Sequence, residues 1–465
     1  MIKKILIANR GEIAVRIIRA CKEMGIKTVA IYSTADKEAL HVQLADEAIC
    51  VGGPKAKDSY LNMANIISAA SLTGCDAIHP GFGFLSENSK FARLVERCQM
   101  TFIGPNPDVI DKMGNKSEAR KIMQKAKVPV VPGSKGVVHN AAEGVKIAAQ
   151  IGFPVLIKAS NGGGGKGMRT SYSEDDFEDA FYTAKAEAKA NFGDDDVYIE
   201  KLLLNPKHVE VQILADKHGN VIHLFERDCS VQRRKQKMIE ESPCFFLNND
   251  VKENMYQDAI KACKSVKYDS VGTIEFLVDQ NQDYYFIEMN TRIQVEHPVS
   301  EMVTNVDIIK NQIRIASGLE LQLKQEDIKL LGYSMECRIN AEDIDRDFAP
   351  SPGKITFMNL PGGKGVRIDS STYVGYEIPP FYDSMILKLI TFAPTRLECI
   401  RKMRGALEEL IIEGVKTNIE YQYMILHSPL FISGNYNIGF IEELQKEVVK
   451  SEKRISRKKD EAQNI

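Results

Sequence analysis

The chain is short of several things at once, and each shortage excludes a class of protein. Its 465 residues hold 61 Lys and Arg against 63 Asp and Glu, a formal net charge of -2. No global field therefore draws in nucleic acid or an anionic membrane, and any anion binding must be local. Nine cysteines are scattered without one CxxC pair, which excludes the usual zinc and disulfide spacings and fits reduced thiols in a cytosol. Cys229 alone lies near charged motif residues, and an inert thiol is its simpler reading. No run approaches the roughly 20 apolar residues needed to span a bilayer. The apolar stretch after Met1-Ile-Lys-Lys stops at Asn9-Arg10, too short for a secretory core. A soluble cytoplasmic protein is the expectation.

An apolar fraction of 44% fits a globular chain, and at about 100 to 200 residues per domain the length calls for two to four domains. Residues 1–113 read strand, helix, strand from Lys4 to Ala8, Glu12 to Met24 and Thr28 to Tyr32 onward, the alternation of a doubly wound parallel sheet. The first turn, Ala8-Asn9-Arg10-Gly11-Glu12, has one glycine where a dinucleotide fingerprint has three, so no nucleotide is expected there. Residues 114–330 form a second section, with helices Ser117 to Ala126 and Ala141 to Ile151 and strands Pro154 to Ala159, Val197 to Lys201, His208 to Ala215 and Val221 to Arg227. Within it, residues 131–204 are expected to form a mobile lid. Residues 331–445 make a C-terminal α+β section, with strands near Met335 to Ile339 and Gly353 to Met358 and a helix from Arg396 to Glu409. The charged tail 446–465 lacks apolar periodicity and reads as disordered.

The chemistry concentrates in two places. Gly272-Thr-Ile-Glu275-Phe-Leu-Val and Tyr284-Tyr-Phe-Ile-Glu288-Met-Asn290 alternate as a hairpin turning near Asn281-Gln282. A symmetric register sets Glu275 against Glu288, Cβ atoms about 5 Å apart, where like charges repel. A divalent cation would reverse that sign. Asn290, two residues on, offers a third oxygen, and oxygen-only ligation suits Mg²⁺ or Mn²⁺; a solvated face paired with lysines is the alternative. The second place is Gly162-Gly-Gly-Gly165-Lys166-Gly167 after Lys158. Its amides could close over phosphates, yet it lacks the Lys-Ser/Thr ending of a Walker loop, and Met168-Arg-Thr-Ser reads as a returning strand rather than a helix. A flexible lid over a nucleotide fits better than a simple connector. Glu200-Lys201-Leu202-Leu203 could offer backbone groups to an adenine edge, and Lys237 in the basic run Gln232 to Lys237 could bind an anion.

Taken in order, Ile7-Ala-Asn-Arg-Gly-Glu-Ile-Ala, His79-Pro-Gly-Phe-Gly-Phe-Leu-Ser-Glu-Asn, the glycine lid, Arg227-Asp-Cys-Ser-Val-Gln-Arg-Arg, Glu288 through His297 and Glu336-Cys-Arg-Ile-Asn-Ala-Glu-Asp resemble the biotin carboxylases of the ATP-grasp superfamily. The resemblance runs to about residue 445. It implies ATP contacts at Lys116, Lys158, Gly164, Gly165, Lys235 and His208, with Glu200, Lys201 and Leu203 at the base and ribose. It implies a metal site at Glu275, Glu288 and Asn290, with both carboxylates also facing ATP. A bicarbonate site follows at Lys237, Arg292, Gln294 and Val295, a general base at Glu296, and at Arg338 the group that stabilises the biotin enolate. Catalysis thus falls to Lys237, Arg292, Glu296 and Arg338.

The implied reaction is ATP-dependent carboxylation of biotin on a biotin carboxyl carrier protein, through carboxyphosphate, with Mg²⁺ or Mn²⁺. The implied partners are that carrier and a carboxyltransferase subunit, since neither an Ala-Met-Lys-Met attachment sequence nor a carboxyltransferase domain is visible. Acetyl-CoA carboxylase is the leading context and a two-subunit pyruvate carboxylase the second. A carbamoyl-phosphate-forming ligase would call for a duplicated unit that is not visible, and mere nucleotide binding would need none of Arg292, Glu296 or Arg338. Arg16, Arg19 and Glu23 resemble the family's dimer helix, which implies a homodimer. The chain departs from the family pattern at Lys235, where histidine is usual, at Asn161, where glycine is, and at Lys364, where an aromatic often supports the interface.

Overall fold

The computed structural model describes residues 2–159 and 167–446. Asn161, Gly164 and Gly165 of the glycine loop, and the tail, lie outside them.

Strands Lys4–Ile7, Lys27–Ser33, Glu47–Gly52, Ala77–His79 and Thr101–Phe102 form a five-stranded sheet with every pairing parallel. The central strand shows why it is doubly wound. Ile5 and Ile7 pack into one cluster with Ile13, Ile17 and Ile18 of helix Gly11–Glu23, whereas Leu6 and Ala8 pack into another with Ile66 and Phe91. A strand buried on both faces must be apolar at successive positions.

The strand order reverses between Lys4–Ile7 and Ala77–His79, the place where such sheets hold a dinucleotide. Here the protein's own groups fill it. Asn9 donates to the carbonyls of Pro80 and Phe82, each at 2.7 Å. Arg10 grips both Asp36 oxygens at 2.6 and 2.7 Å and lies 4.2 Å from the Tyr382 ring centroid. The single glycine of that turn is thus explained: its polar neighbours bind the carbonyls of Pro80 and Phe82 and the Asp36 carboxylate rather than a pyrophosphate.

Strand Val155–Ala159 lies antiparallel between Met168–Ser171 and Val197–Lys201, covered by helices Ala141–Ile151 and Glu174–Phe192. The returning strand after the glycine loop is as read from the sequence. This unit has a core of its own, built on Val155, Ile157, Phe177, Phe181 and Ile199.

The largest element is an eight-stranded antiparallel sheet. From one edge it runs Tyr284–Asn290, Val271–Val278, Lys207–Ala215, Val221–Arg233, Gln236–Ser242, Tyr333–Asn340, Met385–Ala393 and Val366–Ser370. It passes without a break from the second section into the third through the pairing of Gln236–Ser242 with Tyr333–Asn340. Two local readings need correction. The strand expected to end at Arg227 continues to Arg233, and Gln236–Ser242 is a strand that the pattern did not reveal, because both carry polar residues buried by the site rather than apolar ones. The stretch Gly353 to Met358 divides into two short strands, Gly353–Lys354 and Phe357–Asn359, with different partners. Among the described residues no helix is long and apolar enough to cross a membrane.

Gly81 has φ +62°, and a Cβ there would stand 2.9 Å from Asn9 Nδ2. Gly81→Ala combines left-handed strain with displacement of the crevice-filling amide. It should lower stability by about 1–3 kcal/mol, read as an earlier thermal unfolding transition.

Candidate active site

The hairpin places Glu275 directly opposite Glu288, as the symmetric register predicts, but by an indirect route. Near the turn the pairs are Val278 with Tyr284, Leu277 with Tyr285 and Phe276 with Phe286; one extra residue, Ile287, then shifts the ladder so that Glu275 meets Glu288 and Thr273 meets Asn290. The bulge sets the two residues directly opposite on one face of the ladder.

On its other side Glu275 faces Glu210, and Glu210 faces Arg227. Three carboxylates therefore lie side by side across neighbouring strands, an arrangement that is unstable without cations. Arg227, fully buried, donates to Glu210 at 2.6 Å, to Gln212 at 2.6 Å, to Gln294 at 2.6 Å, to Ser300 at 3.0 Å and to Thr273 at 3.2 Å. Lys237 comes from the far side of the Arg234–Lys235 turn and bridges Glu210 at 2.7 Å, Glu296 at 2.5 Å and Glu275 at 3.4 Å. Burial opposes its charge, but the surrounding carboxylates hold the ammonium well above its ordinary range. His208 lies 2.9 Å from Glu275. Burial raises the Glu275 carboxyl, yet Lys237 and His208 together pull it well below the usual carboxylate value.

Glu296 ties two parts of the basin together. One oxygen accepts from Lys237 and the other from Arg338 at 3.0 Å. Burial pushes its carboxyl up, and Lys237, then Arg338 and Arg227, hold it down against the repulsion of Glu210. It is an ionised carboxylate at neutral pH. Arg338 is itself oriented by Glu240 at 2.7 Å, while Asn418 and Gln422 donate to its backbone carbonyl at 3.0 and 2.9 Å.

Arg292 donates to Asn290 at 2.9 Å and to Glu87 at 2.8 Å, and the Thr291 N–H donates to the other Glu87 oxygen. Gln294 spans Arg227 and Glu275, its amide donating to Glu275 at 2.8 Å. The Val295 carbonyl accepts from Lys388 at 2.7 Å. Lys116 reaches Glu288 at 3.1 Å.

As a metal centre, Glu275, Glu288 and Asn290 fit a hard cation. Two carboxylates meet across a ladder, and the carboxamide lies close enough to donate to Glu275 at 2.7 Å. All three residues carry oxygens of the kind that Mg²⁺ or Mn²⁺ takes, and Asn290 offers its own by exchanging Arg292, which donates to its Oδ1 at 2.9 Å, for the cation.

Other expected residues sit apart. Lys158 pairs with Glu200, which also accepts from Arg120 at 2.9 Å, and Lys201 donates to the carbonyls of Gly152 and Phe153. These groups and the half-buried Leu203 belong to the lid sheet and its edge. Lys235 stands exposed at a turn with φ +67° and makes no side-chain contact among the described residues. Cys229 is fully buried, and burial raises its thiol well above the ordinary value, in keeping with an inert role.

Sequence reasoning missed Glu87, Glu210, Arg227, Glu240 and Lys388 as site residues. Glu210 left a signal: His208, Glu210 and Gln212 put polar groups at alternate positions of a strand otherwise filled by Val209, Val211 and Ile213. Lys388 left only a lone lysine between Leu387 and Leu389.

Three family models tile the chain: "Biotin carboxylase, N-terminal domain" over residues 1–110, "Carbamoyl-phosphate synthase L chain, ATP binding domain" over 115–324, and "Biotin carboxylase C-terminal domain" over 336–443. Biotin carboxylase 1 of Bacillus subtilis is 57% identical over 443 residues, covering 95% of this chain and 98% of that protein. A pyruvate carboxylase subunit of Methanothermobacter thermautotrophicus is 51% identical over 446 residues, covering 96% and 91%. The biotin carboxylase domain dimer of Hydrogenobacter thermophilus 2-oxoglutarate carboxylase, solved with MgADP, ADP and bicarbonate, superposes with a TM-score of 0.88 at 50% identity, covering 95% of this chain and 98% of that one.

Arg227→Met leaves Glu210 with Lys237 as its one direct ion-pair partner among the described residues. A loss of about 3–5 kcal/mol is expected in denaturant unfolding, whereas Lys235→Ala at the exposed turn should unfold with the parent.

Proposed function

The chain belongs to the biotin carboxylase family, and from that premise we propose that the basin around Glu296 carries out the ATP-dependent carboxylation of biotin by bicarbonate through carboxyphosphate. The enzyme is a ligase that uses MgATP. The observation that carries the reading is the single carboxylate of Glu296 held between Lys237 and Arg338. One cation suits an incoming anion, the other a developing enolate, and the base lies between them.

Each role follows from residue type. Lys158, Lys116 and His208 serve the ATP phosphates, with Gly164 and Gly165 assigned to them by sequence, while Glu200, Lys201, Leu203 and Lys235 serve the nucleotide. Glu275, Glu288 and Asn290 would hold Mg²⁺, which would supply charge neutralisation at the phosphates. Lys237 and Arg292 hold bicarbonate in line with the γ-phosphate, with Gln294 and Val295 fixing its orientation. Glu296 takes the bicarbonate proton, and the oxyanion attacks phosphorus to give carboxyphosphate and ADP. Carboxyphosphate releases CO₂ and phosphate; the phosphate removes the biotin N1′ proton, and Arg338 stabilises the enolate as N1′ attacks CO₂. Closure of the lid unit keeps water from the intermediate.

The biotin is carried by a carrier protein, and a carboxyltransferase subunit uses the product; we place the enzyme in the cytoplasm as a homodimer contacting through Arg16, Arg19 and Glu23. Acetyl-CoA carboxylase is the proposed context. The 51% identity to a subunit of pyruvate carboxylase favours an oxoacid carboxylase as the second reading, and the half-reaction is common to both.

Purified chain with MgATP, free biotin and ¹⁴C-bicarbonate should yield labelled carboxybiotin. Phosphate release driven by ammonia with no fixation of label would overturn the reading. Glu296→Gln should lower fixation by about 10²–10⁴. Arg338→Ala should suppress carboxybiotin by about 10²–10³, and unchanged carboxybiotin formation would remove its assigned role.

A further inference from the structure

Lys388 is the most fully buried ammonium in contact with the site's backbone, and the reaction outlined above gives it no part. It lies on strand Met385–Ala393, opposite Arg338 on one side and Asp369 on the other, with its side chain wholly enclosed. Its Nζ donates to the Val295 carbonyl at 2.7 Å, lies 3.2 Å from Glu12 and stands 3.9 Å from Asp369. Glu12 belongs to the first helix of the N-terminal section, and Val295 immediately precedes Glu296.

An enclosed charge is costly, and an apolar side chain of similar volume is often no less stable at such a place. What the ammonium supplies and an apolar group cannot is a directed bond to one carbonyl. The peptide between Val295 and Glu296 is planar, so fixing the Val295 carbonyl toward Lys388 turns the Glu296 N–H to the opposite side and sets the start of the Glu296 side chain. The helix that follows, His297–Thr304, is held farther along. Glu301 accepts from Arg16 at 2.9 Å and from Arg367 at 2.7 Å, and Arg367 pairs with Asp369, which with Glu12 and Glu336 makes up the acids that act on Lys388. The segment bearing Glu296 is thus clamped at Val295 and again at Glu301, from elements of both the N-terminal and C-terminal sections.

We propose that Lys388 is a positioning residue: through the Val295 carbonyl it fixes the peptide that aims the Glu296 carboxylate at bicarbonate. This rests on the reading of Glu296 as the base that takes the bicarbonate proton. Loss of the clamp costs bicarbonate selectively, since among the described residues Lys388 meets Val295, Glu12 and Asp369 and none of the residues assigned to ATP.

The test compares the full chain with Lys388→Met/Glu12→Gln, which removes both charges together, with Lys388→Arg, and with Glu12→Gln, which keeps the bond to Val295. Steady-state phosphate release with free biotin is followed against bicarbonate and, separately, against ATP. The paired variant should raise the bicarbonate KM or lower kcat/KM for bicarbonate by about tenfold or more, with the ATP KM within about twofold. Glu12→Gln should hold the parent bicarbonate KM, and Lys388→Arg should recover part of the loss. An unchanged kcat/KM for bicarbonate in the folded paired variant overturns the proposal. So does an equal rise in both KM values, or a paired variant that fails to fold while Lys388→Arg folds without a bicarbonate defect, because Lys388 would then serve stability alone. If the parent chain itself shows no bicarbonate-dependent turnover, the reading of Glu296 fails first and the clamp falls with it.

Discussion

The site depends on one constraint: three carboxylates, Glu288, Glu275 and Glu210, stand next to each other on adjacent strands of one sheet. Such a row repels itself unless cations enter it. Arg227 settles one end from the next strand, His208 and Lys116 approach Glu275 and Glu288, and Lys237 bridges Glu210, Glu275 and Glu296 at once. The residues read as metal ligands and those read as bicarbonate ligands are therefore one electrostatic unit. A cation or anion entering the basin must exchange with contacts already made by the protein, and the geometry that stabilises the fold is the geometry that prepares the reaction.

That unit cannot be assembled by any one section of the chain. Glu87, from the N-terminal parallel-sheet section, orients Arg292; Glu240 and Arg338 belong to neighbouring strands on the two sides of residue 330; Lys388 reaches in from the C-terminal section to the backbone beside Glu296. The eight-stranded sheet supplies the continuity. The unit built on strands Val155–Ala159, Met168–Ser171 and Val197–Lys201 keeps a separate core.

The hairpin shows how far sequence reasoning reaches and why it stops. Period-two alternation places Glu275, Glu288 and Asn290 on one face, and the structure puts Glu275 against Glu288. Alternation cannot reveal the extra residue at Ile287 that makes this pairing compatible with the turn, because a bulge depends on the partner strand. Equally, Val221–Arg233 and Gln236–Ser242 are misread because Glu226, Arg227, Asp228, Glu240 and Glu241 look like surface residues in a linear chain. They are buried because each has a charged or polar partner from elsewhere.

By itself, the sequence determined the parallel first sheet, the two strands that flank the glycine-rich residues, the oxygen-rich hairpin and the order of motifs that marks the family, since periodicity, glycine placement and local residue order are properties of neighbouring residues. The tertiary structure decided which charges meet: Lys237 with three carboxylates, Arg338 with Glu240 and Glu296, Glu87 with Arg292 and Lys388 with Val295. Those pairings join residues tens to hundreds of positions apart, and only the packing of strands from different sections brings them within hydrogen-bonding distance.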